Sequence, residues 1–249
     1  MPLRIDRSGW NGSWQVADKT ILVVGAAGDV GQGIVAAART CGWRVVAVGR
    51  SADKLTRFGD DPGIAAVVGD ISTEAGAEAI WAGATSSFGT IDAAIIAVNA
   101  PNEIRPLTAW QPNELSALFA SNVVSHFIAA QIFIPRLPAD GVFLGIGGGT
   151  ADFIIPKMAP LSVMQAAQRM LYRGLAREQR EGVAIRELII VSMVNGQSKR
   201  DRAQPDWVTD IEVGRHVCAI VANPECFPGP VLDLKSREQV GRLDVEPEK

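Results

Sequence analysis

The chain has 249 residues, a mass of 26.4 kDa, 24 basic against 27 acidic side chains and a pI near 5.5. A net charge of −3 gives no electrostatic route to nucleic acid or an anionic membrane, and 47% hydrophobic with 20% charged residues excludes a disordered chain. No apolar run approaches the roughly 18 residues that cross a bilayer, the start of the chain has no apolar secretory segment, and Cys41, Cys218 and Cys226, with only two histidines, make no metal spacing; a cytoplasmic protein without a metal site is expected.

Residues 1–19 are polar, hold Trp10 and Trp14, and read as an N-terminal arm laid on one domain spanning 20–249. An apolar run at 21–24 is too short for a globular helix. Glycines follow at 25, 28 and 31, then a helical segment at about 32–41 and a second apolar run at 44–48. Residues 52–58 look helical, 64–68 make a short strand, and Ser72 can cap a helix over 73–88. Residues 93–98 form a fourth strand. A long helix covers 112–135, with Leu115, Leu118, Phe119, Val123, Phe127 and Ala130 at helical spacing. A strand at 142–146 ends in Gly147, Gly148, Gly149 and Thr150. A helix at 161–181, a strand at 185–191, a polar loop, a helix at about 210–222 and a short strand at 231–234 follow. Strands alternate with helices throughout, without repeats or low-complexity linkers. That pattern predicts an α/β fold with one Rossmann-type, doubly wound parallel sheet of about seven strands.

The first strand, glycine turn, helix and second strand form a βαβ unit of the kind that holds a dinucleotide. One glycine permits the tight turn, one lets the backbone approach a pyrophosphate, and one lets helix and strand pack closely. The phosphates would sit at the helix N-terminus, where unpaired N–H groups and the helix dipole favour negative charge. Gly25, Ala27, Gly28, Asp29, Val30 and Gly31 are the candidate residues on that side.

In this order the features resemble the short-chain dehydrogenase/reductase family over almost the whole chain. Gly25-x-x-Gly28-x-x-Gly31 is closest to the family's extended or atypical branches. Asp70-Ile71 looks like the pair that contacts adenine. Val98 and Asn99-Ala100 fall near its Asn-Asn-Ala-Gly signature, Asn122 sits where the family has its helix asparagine, and FPGPVLDL is similar to the closing strand. The resemblance also implies a homodimer or homotetramer paired through helices 112–135 and 161–181. Leu161, Met164, Gln168, Leu171, Tyr172 and Leu175 make a mostly apolar stripe on the second of these.

The second strand ends in Gly49-Arg50-Ser51. An NAD-preferring fold usually has an acidic residue there for the ribose 2′-hydroxyl, whereas an arginine pairs with a 2′-phosphate. NADP(H) is expected over NAD(H).

The chemistry departs from the family. Its serine, tyrosine and lysine positions fall on Gly148, Leu161 and Gln165, so the three polar roles of orienting a carbonyl, moving a proton and lowering a pKa are missing. Asn122 alone keeps its type. The sole tyrosine, Tyr172, lies three turns farther along the helix and suits a core or interface position. Among substitutes (Thr150, Asp152, Lys157, Ser162, His126), Asp152 stands first. Phe153, Ile154, Ile155 and Met158 would surround it, and an apolar pocket raises a carboxyl pKa. The bland alternatives are solvated charges for Asp152 and Lys157 and a satisfied core histidine for His126. Lys199-Arg200-Asp201-Arg202 is either a clamp for an anionic substrate or a solvated loop.

The expected function is an atypical NADPH-dependent oxidoreductase acting on a small carbonyl, enone or imine. The alternatives are a cofactor-binding regulator or binding subunit that has lost redox chemistry, and a non-redox enzyme using the same pocket.

Overall fold

The computed structural model describes residues 18–99, 103–179 and 182–242. Trp10, Trp14 and Ala100, named above, lie outside them. The elements are β1 (Thr20–Val24), α1 (Asp29–Thr40), β2 (Arg44–Gly49), α2 (Ala52–Leu55), β3 (Ile64–Val68), α3 (Glu74–Phe88), β4 (Ala93–Ile96), α4 (Pro112–Phe119) and α5 (Ser125–Phe133). After them come β5 (Val142–Gly148), α6 (Ala159–Glu178), β6 (Ala184–Ile190), β7 (Val194–Asn195), β8 (Val208–Thr209), α7 (Asp210–Ala222) and β9 (Val231–Leu234).

Seven strands form one parallel sheet in the order β3-β2-β1-β4-β5-β6-β9. A strand inside such a sheet is covered by helices on both faces and needs an unbroken apolar run. β1 and β4 obey this, buried at every position; β3, at the edge, is half open. On one face α1 and α7 pack Ile34, Val35, Val213 and Val217 against β1, β2 and β5. On the other, Ile80 of α3, Phe133 of α5 and Tyr172 of α6 close the second core layer. Strand order reverses between β1 and β4, so the ligand crevice falls beyond their carboxyl ends.

The segments at 21–24 and 44–48 match strands closely, and several others shift. α1 starts at Asp29, three residues early, because Gly28 is already the cap. Thr73, not Ser72, caps α3, accepting the Gly76 N–H at 3.1 Å. The expected helix over 112–135 is broken by a π turn at Ala120–Val124. There the Asn122 amide donates to the Leu118 carbonyl at 2.8 Å, a side-chain bond that competes with the backbone ladder. The stretch Pro112–Arg136 is long and apolar enough to cross a membrane, yet 56% of its apolar 18-residue window is buried within the fold, as in a core helix. The loop after β6 contains β7 and β8, which pair in parallel.

The stripe predicted on α6 is corrected as well. Met164, Gln168 and Tyr172 are buried against the chain's own sheet and helices, so that side of α6 is core. The exposed apolar side chains here are Val163 and Met170 on α6, with Phe119, Val124 and Phe127 on the preceding helices.

Candidate active site

The glycine turn is held from three strands. Gly25 has φ +86°, the left-handed conformation that glycine adopts without strain, and a Cβ there would overlap the Ala97 carbonyl oxygen beyond β4. The N–H groups of Gly25 and Ala26 both donate to the Val48 carbonyl of β2 at 3.0 Å. A Cβ on Gly31 would overlap the Gly25 carbonyl oxygen and the Ala26 backbone, so α1 lies directly on the turn. Gly28 differs: it is exposed, and a Cβ on it would meet only the Gly25 oxygen, at 3.4 Å. No side chain caps α1. The first helical bond runs from Gln32 to Gly28 at 2.9 Å, leaving the N–H groups of Asp29, Val30 and Gly31 ahead of it. Uncapped N–H groups beside an open glycine fit the pyrophosphate of a dinucleotide.

Beside the turn lies a cleft of about 400 Å³, lined by Ala27, Gly28, Asp29, Gln32, Lys54, Arg57, Gln197 and Ser198. The last two arrive from the loop after β7. Arg57 donates to Gln197 at 2.9 Å, and the Ser198 N–H and hydroxyl both donate to Asp29, the former at 2.9 Å. Burial works to raise the Asp29 pKa, but the Ser198 hydrogen bonds and Lys199, 3.7 Å away, overcome it and hold the carboxyl below the usual range.

Among the described residues Arg50 has no hydrogen-bond or ion-pair partner, and it is exposed just past β2. The Ser51 hydroxyl accepts the Lys54 N–H at 3.4 Å and caps α2. Asp70 is exposed and binds the Ser72 N–H at 2.9 Å. The Ile71 side chain is core, leaving its backbone for any ligand. Val98 packs near Gly25, and Asn99 is exposed. Sequence reasoning missed Lys54, Arg57, Gln197 and Ser198. The first two carry no motif, and the loop residues reach the cleft only through tertiary folding.

On the reaction side, Gly148 and Gln165 occupy one space. A Cβ on Gly148 would lie 2.6 Å from Gln165 Nε2 and 2.8 Å from its Oε1. The Thr150 hydroxyl donates to that Oε1, which fixes the amide. Leu161 is half-buried and Asn122 is buried in the π turn. Ser162 is committed to the Phe153 carbonyl at 2.8 Å.

Asp152 does not behave as expected. Its carboxylate is exposed and doubly bonded by Arg169, and that hydrogen bond holds its pKa below the usual carboxylate range, against a small opposing effect of burial. The predicted upward shift is therefore reversed. The loop after β5 folds back along α6 rather than closing an apolar pocket over the acid. Lys157, at φ +67°, is exposed. In the basic loop, Lys199 faces Asp29 and Arg200 lies 3.8 Å from Asp210.

His126 and Tyr172 are core residues. Nε2 of His126 donates to the Val98 carbonyl at 3.2 Å, so Nδ1 accepts the Tyr172 hydroxyl at 3.0 Å. Burial lowers the His126 pKa to about 4, despite its bond to Val98, keeping the ring neutral.

Glu187 on β6 was not anticipated. It is fully buried; Oε1 accepts the Gln168 amide at 2.9 Å, and Oε2 has no partner among the described residues. Burial pushes its pKa up to about 7 from 4.5, while Gln168, Arg169 and Arg173 pull the other way. A raised folded-state pKa means that this group's stability is fully present below pH 4.5 and is lost as pH rises through 7, a span worth about 3 kcal/mol. Glu187→Gln should therefore be more stable than the parent by about 2 kcal/mol near pH 8 and nearly equal to it near pH 4.5. His126 and His216, both lowered to about 4 chiefly by burial, act in the opposite sense. The comparison is therefore variant against parent in urea unfolding. Equal differences at both pH values would remove Glu187 as the titrating group.

Fold and cradle define a dinucleotide-binding α/β protein. Residues 19–203 match the short chain dehydrogenase family, and the chain belongs to that family of NAD(P)-dependent oxidoreductases. It is 28% identical over 176 residues to 2,3-dihydroxy-2,3-dihydro-p-cumate dehydrogenase of Pseudomonas putida, covering 66% of each chain. Two solved structures show the same fold. A short-chain dehydrogenase/reductase (glucose/ribitol dehydrogenase) of Brucella melitensis superposes with TM-score 0.78 at 17% identity, over 89% of this chain and 96% of that one. A short-chain oxidoreductase of Pseudomonas aeruginosa, described as containing an atypical catalytic center, gives 0.77 at 15% identity, over 87% and 95%.

Proposed function

We propose that the protein is an atypical NADP(H)-dependent oxidoreductase acting on a small, already activated electrophile of the enone or imine type. The observation that carries this is the cradle at α1, closed by Gly25 and Gly31 and opening at Gly28 on a cleft with Lys54 and Arg57. The backbone N–H groups of Asp29, Val30 and Gly31 would hold the pyrophosphate. Arg50, aided by Lys54 and Arg57, pairs with the ribose 2′-phosphate, which a guanidinium can bond through two N–H groups at once. When bound, the dinucleotide supplies the hydride.

The chain's own residues supply position and polarity. With its oxygen held by Thr150, Gln165 keeps its amide N–H groups for the substrate's oxygen or nitrogen, in the space a side chain at 148 would fill. Neither side chain releases a proton near neutral pH, and the paired Asp152 carboxylate has none to give. Protonation then comes from water, which suits an activated substrate better than a plain ketone.

NADPH should bind at least about tenfold more tightly than NADH, and Arg50→Ala should remove most of that preference. Calorimetric titration of both cofactors measures it, and an unchanged preference overturns the role of Arg50. Turnover is tested by following NADPH absorbance with ketones, enones and imines. Tight NADPH binding without oxidation by any of them would assign the protein instead to cofactor-sensing regulation. We also assign the outward apolar side chains Phe119, Val124, Phe127, Val163 and Met170 to a homodimer or homotetramer contact. Phe127→Glu should then give a monomer by light scattering; a monomeric parent refutes the assignment.

A further inference from the structure

α1 and α7 touch along a seam of small residues. A Cβ on Gly33 would overlap the Asp210 carbonyl, and one on Gly214 would overlap the Gly33 carbonyl and lie 2.8 Å from the Ala37 Cβ. The seam steps through Gly33, Ala37 and Cys41 on α1 and through Asp210, Gly214 and Cys218 on α7. Both series advance by four residues, roughly one helical turn, so the helices run in the same direction and each step keeps the same face. At its end, one turn past the Ala37–Gly214 contact, Cys41 packs against the core layer that holds Cys218. Cys41, the C-cap of α1, is partly exposed, and Cys218 is buried behind it.

We propose that Cys41 and Cys218 form a reactive dithiol that a peroxide converts into a disulfide joining α1 to α7. The division of labour follows from their settings. The neighbouring Cys218 thiol, with help from Arg215 and against burial, lowers the Cys41 pKa to about 7, so much of it is thiolate at neutral pH. The thiolate is the nucleophile. Cys218 is pushed up by Cys41 and by burial, and stays a thiol. The third cysteine, Cys226, is exposed, but burial and Glu225 raise its pKa, which makes it the slower thiol.

The chemistry balances. The Cys41 sulfur attacks one peroxide oxygen; the S–O bond forms, the O–O bond breaks, and the departing hydroxide takes a proton to become water. Cys41 is then a sulfenic acid. The Cys218 sulfur attacks it, the S–S bond forms, and the S–O bond breaks. The second hydroxide leaves with the thiol proton as water. Two thiols and one hydrogen peroxide give one disulfide and two waters. A disulfide needs Cα atoms roughly 4.4–6.8 Å apart, a separation that helices reach only in close backbone contact, and Gly33 and Gly214 bring the two backbones into such contact one to two turns before the cysteines. The bridge would close the chain between residues 41 and 218 and stabilise the fold mainly by restricting the unfolded state. It would also tie the helix that bears the phosphate turn to the helix entered from the loop carrying Ser198.

The test uses the full chain with Cys226→Ser, treated with hydrogen peroxide, blocked with N-ethylmaleimide and digested without reduction. The expected result is one linked peptide pair holding Cys41 and Cys218, lighter by two hydrogens, with the free-thiol count falling from two to none. Tm should rise by several degrees, and dithiothreitol should reverse all three changes. Cys41→Ser and Cys218→Ala should each abolish the link while still folding. Two free thiols after treatment, Cys41 carried to sulfinic acid with Cys218 intact, or linkage only between two chains would overturn the proposal.

Discussion

Gly31→Ala should weaken NADPH binding at least a hundredfold, about 2.7 kcal/mol, and destabilise the fold as well. The added methyl would overlap the Gly25 carbonyl oxygen and the Ala26 backbone, neither of which can rotate away as a flexible side chain does. Either the turn opens or α1 moves off it, and both displace the N–H groups at the helix start. Gly28→Ala is the informative companion. Its Cβ meets the Gly25 oxygen at an ordinary 3.4 Å, so the chain should fold normally. The methyl instead projects at the exposed N-cap, where the proposed site would take the pyrophosphate, and should cost about tenfold in affinity with little change in Tm. Calorimetric titration of the two variants, with circular dichroism to confirm folding, separates a folding defect from a binding defect. A Gly31→Ala protein that binds NADPH like the parent would sink the cradle as the cofactor site.

The second large effect concerns Gln165. Gln165→Leu roughly keeps the volume and removes the side-chain amide beside Gly148, so kcat should fall about a hundredfold or more while cofactor affinity stays within about threefold. That is the usual scale for deleting one donor to a developing charge. Thr150→Val, which removes the hydroxyl holding Gln165 Oε1, should cost less, roughly tenfold, because the amide is misaligned rather than lost. Gly148→Ser tests the shared space. The serine Cβ would stand 2.6 Å from Gln165 Nε2, so restoring the hydroxyl displaces the amide. Serine at 148 should therefore reduce kcat on its own, and should cost little more once Gln165 is already leucine. Single-turnover and steady-state measurements with the best substrate read both effects. An unchanged kcat in Gln165→Leu would move substrate polarisation to another group.

The introduced hydroxyl is expected to fail because the glycines of β5 and the side chains facing them are spatially coupled. Gly148 is small where Gln165 is long, and Gly145 is small where Tyr172 packs; a Cβ on Gly145 would overlap the Tyr172 ring. Gly147 likewise leaves room for Glu187, 2.7 Å from where its Cβ would be. The glycines of β5 thus admit a polar column made of Gln165 and Tyr172 from α6 and Glu187 from β6, with Gln168 of α6 bonded to Glu187. Changing one member disturbs its partner before it adds a function.

The amino-acid sequence by itself determined the order of strands and helices, the glycine turn and the position of Arg50. These rest on local rules: strand burial demands unbroken apolar runs, and a tight turn under a helix demands residues without Cβ. The family was legible for the same reason, since its fold depends on those local signals recurring in order. Tertiary structure decided the rest. Asp152 reads as a buried acid from its apolar neighbours, yet Arg169, 17 positions away, meets it once the loop turns back on α6 and reverses the direction of its pKa. Gln197 lies 140 positions from Arg57, and Ser198 lies 169 from Asp29. Cys41 and Cys218 fall on one seam only because two glycines let α1 and α7 touch. Periodicity and turn chemistry act over a few residues, whereas charge pairing, desolvation and thiol contact depend on which distant side chains share a space, and only the packed fold sets that.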